Sequence, residues 1–164
     1  MNWTNEFRDR INDFENQFKR EDSFAISLKI RVSSGCFHRD CSPNAYRIID
    51  NEIQHLDLKK EGIALIEHES GPEILIMVAA IFELTASVLT IIAFILDARK
   101  KGIENGDRPK DDLNIVVRNF NKDGKVKDET VLKINHIDKI DKMLIKTLVE
   151  KSIMKAIKER NKLK

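Results

Sequence analysis

The run EILIMVAAIFELTASVLTIIAFILDARKK, from Glu73 to Lys101, decides how the rest of the chain is read. Between Ile74 and Leu96 almost every side chain is apolar, and the one charge is Glu83. About 20 residues at 1.5 Å each suffice to cross a bilayer, so length alone makes the run a candidate span. A helical wheel changes that reading. Ala79, Ala80, Glu83, Ala86, Ser87, Thr90, Asp97 and Lys101 fall on one side as a small, weakly polar stripe, with Ile76 and Phe94 intruding. The opposite arc carries Leu75, Val78, Ile81, Phe82, Val88, Leu89, Ile92, Ile95 and Leu96, with Thr85 its one polar member. A wide apolar arc beside a narrow stripe describes the central buried helix of a small domain. The expectation is one long hydrophobic helix over residues 73–101, with a single membrane span or membrane anchor over 74–96 as the alternative.

The flanks bear on that choice. Glu67, Glu69 and Glu73 precede the run and Arg99, Lys100 and Lys101 follow it, so the positive-inside rule would leave the C-terminal half in the cytoplasm and require export of the N-terminal half. Met1 opens a polar, charged segment and not a signal peptide, which favours burial in protein. With 29 Lys and Arg against 27 Asp and Glu, the balance is too even for a whole-surface claim on nucleic acid. The chain is nevertheless acidic before Pro72 and basic after it, which fits head-to-tail association or an anionic surface near the C-terminal half, with a solvated lysine-rich helix the leading reading. Two cysteines make no disulfide framework and fit a reducing cytoplasm, the expected location, with membrane association as the alternative.

Residues 1–21 are expected to form an N-terminal amphipathic helix, because Trp3, Phe7, Ile11, Phe14 and Phe18 recur at spacings of three and four. That aromatic edge must lie on the domain itself, a second copy, a larger partner or a lipid headgroup layer; the mixed charge of its polar side favours protein.

Residues 22–161 read as a single α+β domain. Phe24 to Ser33 alternates apolar and polar as a half-buried strand. Ser42 and Pro43 start a helix to about Leu56, and Ile63 to His68 is a second strand, so strand, helix and strand suggest a crossover with parallel strands. Ser70 would cap the long helix after Gly71 and Pro72 stop the strand, and Gly102 would end it. Leu113, Ile115 and Val117 mark a third strand. Asp123 and Gly124 supply a hairpin turn, and residues 126–134 supply a fourth strand. A last helix is expected from near Ile137 to about Arg160, with Ile137, Ile140, Leu144, Leu148, Ile153 and Ile157 inward. The expected architecture is a two-layer sandwich in the order α-β-α-β-α-β-β-α. It has a four-stranded mixed sheet, helices on one face and water on the other. The stripe with Glu83, Ser87 and Thr90 would face outward, small enough for self-association.

Chemistry, if present, belongs to the loop Cys36, Phe37, His38, Arg39, Asp40, Cys41, between a strand end and a helix N-terminus. Three readings compete there. Cys36, His38 and Cys41 could ligate zinc, but a structural site needs a fourth ligand, and His55, His68 and His136 stand apart. Cys41 could be a thiolate nucleophile activated by the helix N-terminus and Arg39, although the phosphatase and thioredoxin spacings are missing. The third reading, which leads, is an ordinary loop, with or without a disulfide. Glu83 would be costly and functional in a membrane, but on a solvent stripe it is an orienting polar mark. No phosphate-binding glycine loop, carboxylate pair or catalytic triad order is legible, and no cofactor is expected.

A strand, helix and strand are followed by a long apolar helix ending in Arg99, Lys100 and Lys101, then by a hairpin with an Asp123–Gly124 turn and a final helix. In element order over roughly residues 22–157 this resembles the small effector-associated constant components of bacterial conflict systems. The resemblance carries over no functional residue; it implies a non-catalytic adaptor coupled to other proteins of a defence or signalling system. The leading expectation is thus a non-enzymatic interaction module that binds a protein partner or a second copy. The alternatives are a membrane-anchored protein and a small thiol or metal enzyme centred on Cys36–Cys41.

Overall fold

The computed structural model describes residues 9, 12, 13, 16, 25–32, 37–56, 62–68, 71–77, 86–108, 112–120, 126–134, 139 and 141–162. Its strands are β1 (Ala25–Val32), β2 (Ile63–His68), β3 (Gly71–Met77), β4 (Leu113–Phe120) and β5 (Val126–Ile134). Its helices are α1 (Pro43–Ile53), α2 (Ala86–Glu104) and α3 (Lys142–Lys162). The α+β class is as expected, but the sheet has five strands in the order β2-β3-β1-β4-β5, and each neighbouring pair is antiparallel. The expected four-stranded mixed sheet is corrected on both counts.

The correction originates in the apolar run. Its first part is β3, inserted between β1 and β2 with Leu28 opposite Ile74 and Leu65 opposite Ile74 on its other side. Ile74, Leu75 and Ile76 are all buried, so both faces of this strand are dry and the alternation that would identify it is missing. A short apolar run without a period cannot be told from a buried helix by pattern. Local geometry settles it. Gly71 has φ of 134°, where L side chains are strained, and a Cβ there would strike the Ile30 carbonyl. Gly71 pairs with His68 across a two-residue connection, so Gly71 and Pro72 begin a strand instead of ending one.

The later part of the run is α2. The long helix expected over 73–101 is replaced by β3 and a shorter helix, and among the described residues no helix is long and apolar enough to cross a membrane. Glu83, Ala79 and Ala80 lie outside the described residues. β1 and β2 do run in the same direction, as a crossover through α1 requires, but β3 lies between them and they do not pair.

The first face of the sheet presents Ile26, Leu28, Ile30 and Val32 of β1, with Ile74, Ile76, Leu113, Ile115 and Val117 in register beside them. α1, α2 and α3 join this face in one core, through Ala45, Tyr46 and Ile49 of α1, Ile91, Ile92 and Ile95 of α2, and Ile145, Val149 and Ile153 of α3. α3 begins at Lys142 and not near Ile137. Asp141 caps it, its Oδ1 accepting from Leu144 N at 3.0 Å. Its inward stripe is therefore Ile145, Val149, Ile153 and Ala156, and Leu144, expected inside, is exposed.

The second face was expected to be wet, and its centre is not. Ser27, Glu73, Leu75 and Val116 are fully buried, and Lys29 is nearly so. Leu75 and Val116 belong to this face by register and stand outside the core that the helices share. Alternation identified which side is polar. It could not show that the polar groups there pair with one another and are covered.

Candidate functional site

The cysteine loop is held by Arg39. Its guanidinium donates to both carboxylate oxygens of Asp50 on α1, at 2.6 and 2.7 Å, and to Glu67 of β2, including Nε to Oε2 at 2.9 Å. It also lies over the ring of Tyr46, 5.2 Å from the centroid. The Asp50 hydrogen bonds, then those of Glu67, raise the Arg39 pKa, and the same contact holds the Asp50 carboxyl below the usual carboxylate range. Tyr46 donates from its hydroxyl to the Phe37 carbonyl at 2.7 Å, and its ring meets Phe37 at 5.6 Å between centroids. Burial first, then the charge of Glu67, pushes the Tyr46 phenol up. Arg39 thus ties loop, helix and strand together, a planar fork used twice over.

Cys41 is disulfide-bonded, so in this state it offers no thiolate. The chain has one other cysteine, Cys36, which lies outside the described residues. His38 Nδ1 accepts the Asp40 backbone N–H at 3.2 Å, which in the neutral ring leaves the proton on Nε2. That nitrogen donates to Cys41 Sγ at 3.6 Å. The Asp40 carboxylate, 3.9 Å from Nδ1, cannot pair with a nitrogen whose lone pair is already taken. Among the described residues no group of three His, Cys, Asp or Glu side chains is placed to hold a metal. Cys41 Sγ thus meets His38, while Arg39 is engaged by Asp50, Glu67 and Tyr46.

The start of α1 depends on a residue that sequence reasoning missed. Ser42 occupies the N-cap and makes no side-chain capping bond. Asp107, from the loop after α2, takes its place: Oδ2 accepts from Ala45 N at 2.9 Å, and Oδ1 accepts from Asn44 N at 3.2 Å and Asn44 Nδ2 at 3.0 Å. Pro43 has no N–H, so this one buried carboxylate serves the first available donors of the helix. Nothing in the local sequence announces a cap supplied from more than sixty positions away.

The second sheet face carries the densest charge. Ser27 donates to Glu73 Oε1 at 2.8 Å, and Arg118 approaches the same oxygen at 3.6 Å while donating to Asp128 at 2.7 and 2.9 Å. Arg31 stands 3.6 Å from Asp128. Burial lowers the Lys29 pKa, with the Glu73 charge opposing. The Asp128 hydrogen bond raises that of Arg118, and the Arg118 hydrogen bond lowers that of Asp128. Lys29, Arg31 and Arg118 form one layer across β1 and β4, flanked by Glu73 on β3 and Asp128 on β5.

The expected interaction residues divide. Trp3, Phe7, Ile11, Phe14, Phe18 and Glu83 lie outside the described residues. Ser87 and Thr90 sit on α2 half-exposed, and the Thr90 hydroxyl donates to the Ala86 carbonyl at 2.8 Å. A different surface was not foreseen. Met143 is 71% exposed, Leu144 46% and Met154 47%. At 100° per residue, Met143 and Met154 fall within about 20° of each other and nearly opposite the inward stripe of α3. Between and beside them stand Thr147, Lys151 and Lys158, all exposed. Beneath the inward side of α3 is a recess of about 10 Å³ lined by Val117, Lys127, Glu129 and Ser152, room for about one water. Compared with protein-family models, with curated proteins and with solved structures, the chain matches none.

Proposed function

We propose that the chain is a non-enzymatic protein-interaction module that engages an acidic partner surface through the outward side of α3. The observation that carries this is the exposure of Met143 and Met154 on one stripe, one of them at 71%. Flexible, polarisable methionines favour helix-in-groove contacts because they adapt to the opposing surface. The chemistry of the partner follows from charge. α3 has six lysines and one arginine against two glutamates, and both glutamates already face lysines, Glu150 toward Lys146 and Glu159 toward Lys127. An apolar groove edged with carboxylates complements that helix. The adaptor role in a bacterial defence or signalling system came from an element order without β3, so the surface of α3 alone supports the module reading.

A photo-crosslinking residue placed at 143 or 154, in the cells that make the protein, tests the reading. A discrete protein adduct at both positions, lost in Lys151→Glu and not formed from exposed Asn51 on α1, supports it. Equal labelling from Asn51, or adducts with lipid alone, overturns it. A chain that crosslinks to its own copy would move the partner to homo-association.

A further inference from the structure

We infer that Cys41 is the peroxide-reactive thiol of a reversible thiol–disulfide pair with Cys36, its thiolate held in the reduced chain by His38. This goes beyond the function proposed for α3 and rests on separate observations. Cys41 is disulfide-bonded, and the one other cysteine in the chain is Cys36, five positions earlier. A bridge that closes so short a loop removes less chain entropy than one that closes a long loop, so stability is a weak reason for it. The loop is also fastened without it. Phe37 is fully buried, and its carbonyl accepts from the Tyr46 hydroxyl at 2.7 Å. Arg39 is bound to Asp50 and Glu67, and the His38 carbonyl accepts from Cys41 N at 3.1 Å and from Ser42 N at 2.9 Å. None of these contacts needs the disulfide, so Cys41 keeps its place when the bridge opens.

The surroundings of the sulfur then decide its chemistry. Arg39 is occupied by two carboxylates, and Asp107 already answers the N-terminus of α1, so neither is left to serve a thiolate. His38 is. Its Nδ1 accepts the Asp40 N–H, which keeps the proton on Nε2, and Nε2 lies 3.6 Å from Cys41 Sγ. An N–H donor there favours the thiolate over the thiol and raises the fraction able to attack. Both side chains are half-buried, open to a small oxidant. With hydrogen peroxide, the Cys41 thiolate forms an S–O bond as the O–O bond breaks; the departing hydroxide is protonated to water and a sulfenic acid remains. The Cys36 thiol displaces the sulfenic oxygen as a second water and restores the disulfide. A dithiol reverses the change: its thiolate attacks Cys36 Sγ, Cys41 leaves as the better-stabilised thiolate, and the second thiol of the reductant releases Cys36 and closes a disulfide of its own.

The full-length chain, reduced with dithiothreitol and then desalted, tests this. Its circular dichroism should match that of the oxidised chain, and an equivalent of hydrogen peroxide should consume both thiols and return a monomer lighter by two hydrogens. In Cys36→Ser, dimedone should capture a sulfenic acid on Cys41, formed about tenfold faster than in the same chain unfolded in urea and than on Cys36 in Cys41→Ser. His38→Phe should remove most of that advantage and leave the thermal midpoint unchanged, a split that a merely structural histidine does not give. Loss of the circular-dichroism signal on reduction overturns the inference, because the bridge is then a structural staple. Thiols that survive peroxide, covalent dimers on a non-reducing gel, a Cys36 as fast as Cys41, or an unchanged rate in His38→Phe overturn it as well. Should a variant not fold, the rates of peroxide oxidation of the parent chain in native buffer and in urea decide, equal rates overturning it.

Discussion

At the scale of single residues, the capping of α1 gives the sharpest contrast. Asp107→Ala removes the acceptor for two helix N–H groups and is expected to cost about 1–2 kcal/mol in urea denaturation, as loss of a strong N-cap does. Ser42→Ala, at the position that sequence rules name as the cap, should change stability by less than about 0.5 kcal/mol, because its buried hydroxyl makes no hydrogen bond. Acid stability follows from Asp128. The Arg118 hydrogen bond depresses its folded-state pKa, so below the ordinary carboxylate value of about 4 the unfolded chain binds the proton first. Its contribution is complete above that value and is lost as pH falls through the lower folded one. Urea midpoints measured from pH 5 downward should therefore decline less steeply in Asp128→Asn than in the parent. Ser42 and Pro43 could be read as a helix start because those preferences are local. Asp107 could not, because a carboxylate that arrives through tertiary structure leaves no local mark.

At the scale of elements, the contact between α1 and α2 turns on Gly102. A Cβ there would strike the Asp107 carboxylate and stand 2.9 Å from Ala45 Cβ, so Gly102→Ala must push the helices apart. The expected cost is about 1–3 kcal/mol, checked by thermal denaturation, although alanine is the better helix former. Gly102 was legible as a helix ending, whereas the helix continues to Glu104 and the glycine is there for close approach. β1, β4 and β5 were legible because one of their faces is polar and the period survives. β3 was not, since both of its faces are dry. In α3 the period survived but the frame slipped: without the Asp141 cap fixing the first turn, Leu144 was placed inside.

At the scale of the whole molecule, the two methionines should matter for association and not for folding. Met143→Asp with Met154→Asp is expected to leave the urea midpoint within about 0.5 kcal/mol of the parent, since both side chains are exposed. Aspartate at either position should abolish the crosslink formed from the other. The general class was readable from composition and period, but strand order was not, because order depends on which apolar run is a strand. The centre of the sheet has a further consequence for how the chain is made. β1 is synthesised before its neighbours β3 and β4, which lie about 50 and about 90 positions downstream. The strand that every other strand is arranged around must wait for both to be synthesised, which makes the nascent chain a natural client for a holding chaperone.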